Sequence, residues 1–249
     1  MSSQAHSIVM LRRNFTHIGR NPTSVFNAVL MPIVIMLMFV YMFGKAFSVG
    51  VDYIDYATPG LMLLAVCYGL GSTATAVNSD MTKGIINRFK AMDVSRGAVL
   101  TGHVIATVLT NLVAIAALTG VAFALGFSPS ASALDWLGVL GMIVLLGFAA
   151  GWFTVALGLF AKSPETAGLA AVPLVMLPFF SSAIVPADKM GPGLREFAEY
   201  QPFTPIIETL RGLLNGAPSG RDAITAIAWC VLIAAIGYLW ARSTFNKRA

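Results

Sequence analysis

Residues 98–126 read AVLTGHVIATVLTNLVAIAALTGVAFALG, twenty-nine positions without a single Asp, Glu, Lys or Arg. A helix needs about 20 mostly apolar residues to cross roughly 30 Å of hydrocarbon. This stretch is long enough to span a bilayer with more than a turn in reserve. Phe127–Leu134 follows, with Ser128, Pro129, Ser130 and Ser132, and reads as a loop. Working outward, five more uncharged runs appear: Val25–Gly44, Ala57–Ser79, Trp136–Ala161, Thr166–Ala187 and Ala223–Ala241. The last is short, but Tyr238 and Trp240 suit a membrane interface. The reading is an all-α membrane protein, one transmembrane domain over residues 1–249 with six spans (25–44, 57–79, 98–126, 136–161, 166–187 and 223–241).

Composition agrees. The chain is 57% hydrophobic and 11% charged, against about 25% charged for an ordinary soluble domain. Too few polar groups remain to cover a globular surface in water, and low charge with high apolarity also excludes disorder. Val25–Gly44 starts too late and runs too long for the apolar core of a signal peptide, and no small-residue cleavage site follows it. Cys67 and Cys230 both lie inside apolar runs, so a disulfide framework is not expected.

Orientation follows from Lys and Arg. The segments before span 1, between spans 2 and 3, between spans 4 and 5, and after span 6 carry 11 of the 16 basic residues and 3 of the 11 acids. The opposite segments carry 5 and 8. Both termini are therefore expected in the cytoplasm. All carboxylates fall in loops on this reading. Ion-coupled carriers normally keep a titrating group at membrane depth, which counts against that class.

Three segments outside the spans carry pattern. In Ser7–Arg20, Ile8, Leu11, Phe15 and Ile18 form one helical stripe, with Arg12, Arg13 and Arg20 on other faces. This predicts a helix lying in the membrane interface, as an anchor or as a docking element. In Lys83–Met92, Ile85, Ile86, Phe89 and Met92 share one side, and Lys83, Asn87, Arg88 and Lys90 surround them. Such a helix can engage a groove on a soluble partner, or the segment is a solvated basic loop. Between spans 5 and 6, Pro192–Tyr200 and a helix from Thr204 (N-cap) and Pro205 to Gly216 are each too short to span. Glu208 and Arg211 stand three apart and can pair. Two apolar half-helices joined at Gln201-Pro202 predict a re-entrant hairpin over 192–216, tolerated only against protein or a wet cavity.

Expected chemistry is also missing. No G-x-x-x-x-G-K-[ST], H-E-x-x-H, C-x-x-C or G-x-S-x-G occurs, so no ATP, metal or cofactor site is expected on this chain. His103, alone in span 3, reads as a satisfied polar group. An intramembrane hydrolase built on Ser182 would need a nearby base, and none is evident in sequence. Gly147-x-x-x-Gly151 reads as a helix-packing motif.

The stretch VPLVMLPFFSSAIVPADKMGPGLREFAEYQPFTPIIETLRGLLNG (172–216) resembles the ABC-2 type transporter permeases, close to the daunorubicin-resistance type. The resemblance rests on Leu177, Pro178, Ser181, Ser182, Pro186, Met190, Pro202, Thr204, Glu208 and Arg211, with Gln201 where Asn is usual. It extends to Gly84, Arg88, Ser95, Arg96 and Gly102, with Asp93 where Pro is usual, and to Arg20, Pro22, Pro32, Tyr56, Pro59 and Gly60. It implies a bacterial plasma-membrane permease working as a pair, the second subunit identical, driven by two separate ABC ATPase subunits that carry the ATP and Mg. It implies coupling to the ATPase through Arg12, Arg13, Phe15, Lys83, Ile85, Ile86, Arg88 and Phe89. It implies a route lined by spans 1, 2 and 5, with Met36, Phe39, Tyr41, Asn78, Met176, Phe179, Phe180, Ser181 and Ser182 as candidates. The hairpin would close that route at an outer gate of Phe203, Glu208 and Arg211. Soft Met and Phe surfaces suit an amphipathic drug or a lipid. A lipid or glycan flippase of the same family and an ion-coupled carrier are the alternatives.

Overall fold

The computed structural model describes residues 22–44, 52–82 and 96–248. The predicted interface helix 7–20 and coupling helix 83–92 lie outside the described residues. Those residues form α1 (Pro22–Phe43), α2 (Tyr53–Tyr68), α3 (Leu70–Thr82), α4 (Arg96–Ala124), α5 (Ala133–Phe160), α6 (Pro164–Ala170), α7 (Val172–Met176), α8 (Leu194–Tyr200), α9 (Phe203–Leu214) and α10 (Gly220–Arg248), with short 3-10 turns at Leu177–Phe180 and Ala187–Lys189. No strand occurs among them.

Among the described residues, four helices are long and apolar enough to cross a membrane: Tyr53–Thr82, Val99–Ala124, Ala133–Phe160 and Gly220–Lys247. The first expected span corresponds to α1, and the fifth to the apolar segment Pro164–Phe180, built of α6, α7 and a 3-10 turn. The second span outruns the uncharged stretch at both ends, so Asp55 and Asp80, expected in loops, lie within α2 and α3. Charges mark where hydrocarbon ends, whereas a helix continues as long as its backbone is paired.

The helix ends have local causes. α4 stops at Gly126, whose φ of +102° only glycine adopts cheaply; Phe127 N–H then reaches back to the Ala122 carbonyl at 3.0 Å. α5 starts with a capping box: Ser132 Oγ accepts from Asp135 N–H, and Asp135 Oδ2 accepts from Ser132 N–H. Its first two residues, Ala133 and Leu134, therefore lie inside the expected loop 127–134.

The fifth span corrects the sequence reading most. Thr166–Ala187 is not one helix. Pro173 and Pro178 each remove a backbone donor, the chain tightens to 3-10 geometry at Leu177–Phe180, and Ser181 and Ser182 leave helical structure. The hairpin helices also begin differently. α8 follows Gly193 (φ +83°), whose N–H is held by the Glu196 carboxylate. Thr204 is not an N-cap, since its hydroxyl donates to the Ala198 carbonyl at 2.6 Å. The stop at Gly216 is as expected, with φ +68°.

α5 is the hub, packing along α10, α3 and α4. Gly147 and Gly151 face Val108 and Val104 of α4, so the expected glycine motif is a packing stripe. α2 is the most enclosed element: Leu61, Met62, Leu63, Leu64 and Val66 are buried. α9 turns Phe203, Ile206, Ile207, Leu210 and Leu214 into the same core and packs on α2, α5 and α10. By contrast, α10 leaves Ile224, Val231, Leu232, Ile236 and Leu239 exposed, the face a bilayer would cover.

Candidate functional site

The turn Ser181–Ile184 is buried yet not helical. Buried backbone groups require partners, and here side chains of neighbouring elements supply them. Tyr56 Oη donates to the Ser182 carbonyl at 2.9 Å, and Tyr53 Oη donates to the Ile184 carbonyl at 3.4 Å. Gln201 Nε2 donates to the Phe180 carbonyl at 2.6 Å. Ser182 N–H donates to Thr204 Oγ1, and Ala183 N–H to Ser181 Oγ. Gly60 lets α2 touch this turn, because any Cβ there would overlap the Ala183 carbonyl.

Arg211 of α9 is the centre of the cluster. It is 9% exposed. Its Nη2 donates to the Ser182 carbonyl at 2.9 Å, and Nη2 and Nε both reach the Tyr56 carbonyl at 3.3 and 3.4 Å. Nη1 pairs with Glu208. The guanidinium lies 3.9 Å from the centroid of the Tyr56 ring, a cation–π arrangement. Glu208 Oε1 also accepts from Ser182 Oγ at 2.7 Å. Nearly every donor of the buried cation is used, the condition under which a buried charge is tolerated. Removing Glu208 would leave the buried guanidinium without its counter-charge, whereas Glu208, about a third exposed, would keep its Ser182 bond if Arg211 were lost.

Glu208 thus supplies the carboxylate near Ser182 that sequence alone did not show. The same oxygen is already engaged by Arg211, and Ser182 is only 3% exposed. The arrangement holds a turn and presents no nucleophile to a substrate.

The predicted gate residues Glu208 and Arg211 therefore meet, and they meet Ser182 from the predicted pathway. Phe203 is buried in the core. Phe39 of α1 approaches Phe179, with ring centroids 6.5 Å apart, so the first and fifth spans are neighbours there. Met36 is buried, Met176 and Phe180 are half exposed, and Tyr41 is 74% exposed. Asn78 joins none of these. It lies at the other end of the α2–α3 rod, where its Nδ2 donates to the Gly158 and Ala161 carbonyls at 2.9 and 2.7 Å. Nearby, Thr73 and Thr107 hydroxyls are 2.8 Å apart, and His103 Nε2 is 3.2 Å from Asp80 Oδ2. His103 is the satisfied polar group that was expected. The coupling residues Arg12, Arg13, Phe15, Lys83, Ile85, Ile86, Arg88 and Phe89 lie outside the described residues.

Tyr53 carried no sequence signal. Tyr56 and Gln201 stood in the stretches that carry the family resemblance, with no hint that they would hold the Ser182 turn. Among the described residues, no three His, Cys, Asp or Glu side chains gather as a metal site would need.

The chain is similar to known proteins. The profile of one family, described as ABC-2 type transporter, matches residues 6–215. The daunorubicin resistance ABC transporter permease protein DrrB1 of Streptomyces coeruleorubidus is 30% identical over 233 residues, covering 92% of this chain and 82% of that protein. The probable doxorubicin resistance ABC transporter permease protein DrrC of Mycobacterium tuberculosis is 26% identical over 245 residues, covering 94% and 88%.

Proposed function

The chain belongs to the ABC-2 type transporter family, and we propose that it moves amphipathic drug-like or lipid molecules outward across the bacterial plasma membrane, powered by two separate ATPase subunits. As a permease subunit it is not itself an enzyme. The relatives are named for daunorubicin and doxorubicin resistance, which supports an amphipathic substrate. The absence of a P-loop in the sequence supports an ATPase in trans, which would hold the ATP and Mg. Residues 7–20 and 83–92 are the proposed docking elements. The excess of Lys and Arg on their side of the membrane supports cytoplasmic termini.

The observation that carries the reading is the Arg211 cluster. Ser182, Thr204, Glu208, Arg211, Tyr56 and Gly60 are widely separated in sequence, yet they are residues on which the family resemblance rests, and they meet in one place. We assign the cluster to the closed outer end of the route. A second identical copy would cover the exposed apolar faces of α1 (Met31, Val34, Met38, Tyr41, Met42) and of the broken helix (Leu169, Val172, Met176, Phe180), leaving the route between copies. One transmembrane domain over 1–249 suffices for this.

The test is doxorubicin uptake into inside-out vesicles containing the chain with its ATPase subunits. Accumulation that needs hydrolysable ATP is expected. Lipid translocation without drug transport would narrow the substrate to lipid, and activity indifferent to ATP would overturn the reading.

A further inference from the structure

The last carbonyls of a helix have no partner within it. At the end of α5, Ala161 N–H takes the Leu157 carbonyl, and the Gly158 and Ala161 carbonyls are both taken by Nδ2 of Asn78 on α3. One side chain from another helix thus caps α5. Asn78 is fully buried, and its Oδ1 has no hydrogen-bond partner among the described residues. The approach is possible because position 158 is glycine: a Cβ there would stand 2.6 Å from the Ala74 carbonyl oxygen and 3.0 Å from Val77 Cβ. Three residues before Asn78, the Thr75 hydroxyl donates to the carbonyl of Pro164, the first residue of α6, at 3.2 Å. On its other side α3 is fixed to α4 through Thr73 to Thr107 and Asp80 to His103.

We propose that Asn78 is a positioning residue that makes α3, the C-terminal end of α5 and the start of α6 one rigid body. Force applied to the chain beyond Thr82 then displaces the broken helix 164–180, which carries Phe179 and Phe180 and ends in the Ser182 turn. The proposal rests on the ATPase docking beyond Thr82. The residue type fits the task. A primary amide offers two donors on one nitrogen, matching two carbonyls. Leucine would leave both unsatisfied, and aspartate would aim a carboxylate at them.

Spin labels at the exposed positions Thr82 and Glu165 would report the body directly. In the full chain in nanodiscs, the wild-type background should give one narrow distance, unchanged when ATP is trapped in the assembled complex. In Asn78→Leu the distribution should broaden, and substrate moved per ATP hydrolysed should fall about fivefold with hydrolysis retained. Thr75→Val, which removes one bond and no buried amide, should shift both readouts the same way, with about a twofold loss; it serves if Asn78→Leu fails to fold. A merely structural role would lower yield while leaving distance and stoichiometry intact, and that result would overturn the proposal. If the wild-type complex shows no ATP-driven transport, the proposed function fails; the Thr82–Glu165 distances in the chain alone still decide whether Asn78 makes the body.

Discussion

The two ends of the rod formed by α2 and α3 are held by different chemistry. At the Tyr53 end a buried cation, Arg211, gathers a carboxylate, two backbone carbonyls and an aromatic face. At the Thr82 end the ties are a neutral amide on two carbonyls, a hydroxyl pair and one His–Asp contact. A cluster centred on one buried cation depends on that cation, since it joins the carboxylate to two backbone carbonyls at once. A set of separate bonds loses strength one bond at a time. The first suits an end that is either shut or open, and the second suits an end that transmits motion without coming apart.

Substitutions can break or sharpen that contrast. Arg211→Met should have the largest effect, a loss of about 3–5 kcal/mol in thermal or denaturant unfolding of the detergent-solubilised protein. Adding Glu208→Gln to it should restore part of the loss, because no lone charge then remains; a double variant worse than the single would refute the charged-cluster account. Gly60→Val comes next, about 1–3 kcal/mol, as its side chain meets the Ala183 backbone. Asn78→Leu should cost about 2 kcal/mol, two unsatisfied carbonyls being partly offset by removal of the unpartnered Oδ1. Tyr56→Phe, which deletes the hydroxyl's bond to the Ser182 carbonyl, should cost about 1 kcal/mol in the same assay. Arg195→Ala breaks an exposed i,i+4 pair with Glu199 and should leave the melting temperature unchanged.

Much of this was readable from sequence where the signal is local. Residues 98–126 announce a membrane helix by composition alone, and the Glu208–Arg211 spacing announces a pair. The stop at Gly216 follows from its conformational freedom. The fifth span misled because an uncharged run of membrane length outweighed Pro173 and Pro178, which sit where donors are lost. The resemblance sets Asn78 among the pathway candidates; its partners in the structure are carbonyls eighty and more positions away, and no local pattern encodes them. Tyr53 and Tyr56 were illegible as anchors for the same reason. Their hydroxyls serve a turn whose existence depends on the break in another helix.

We propose that this permease opens only when nucleotide hydrolysis elsewhere does the work. Purified alone into liposomes loaded with doxorubicin, with a proton gradient imposed across them, it should retain the drug at the rate of protein-free liposomes. Release driven by that gradient in the absence of an ATPase subunit would contradict the account.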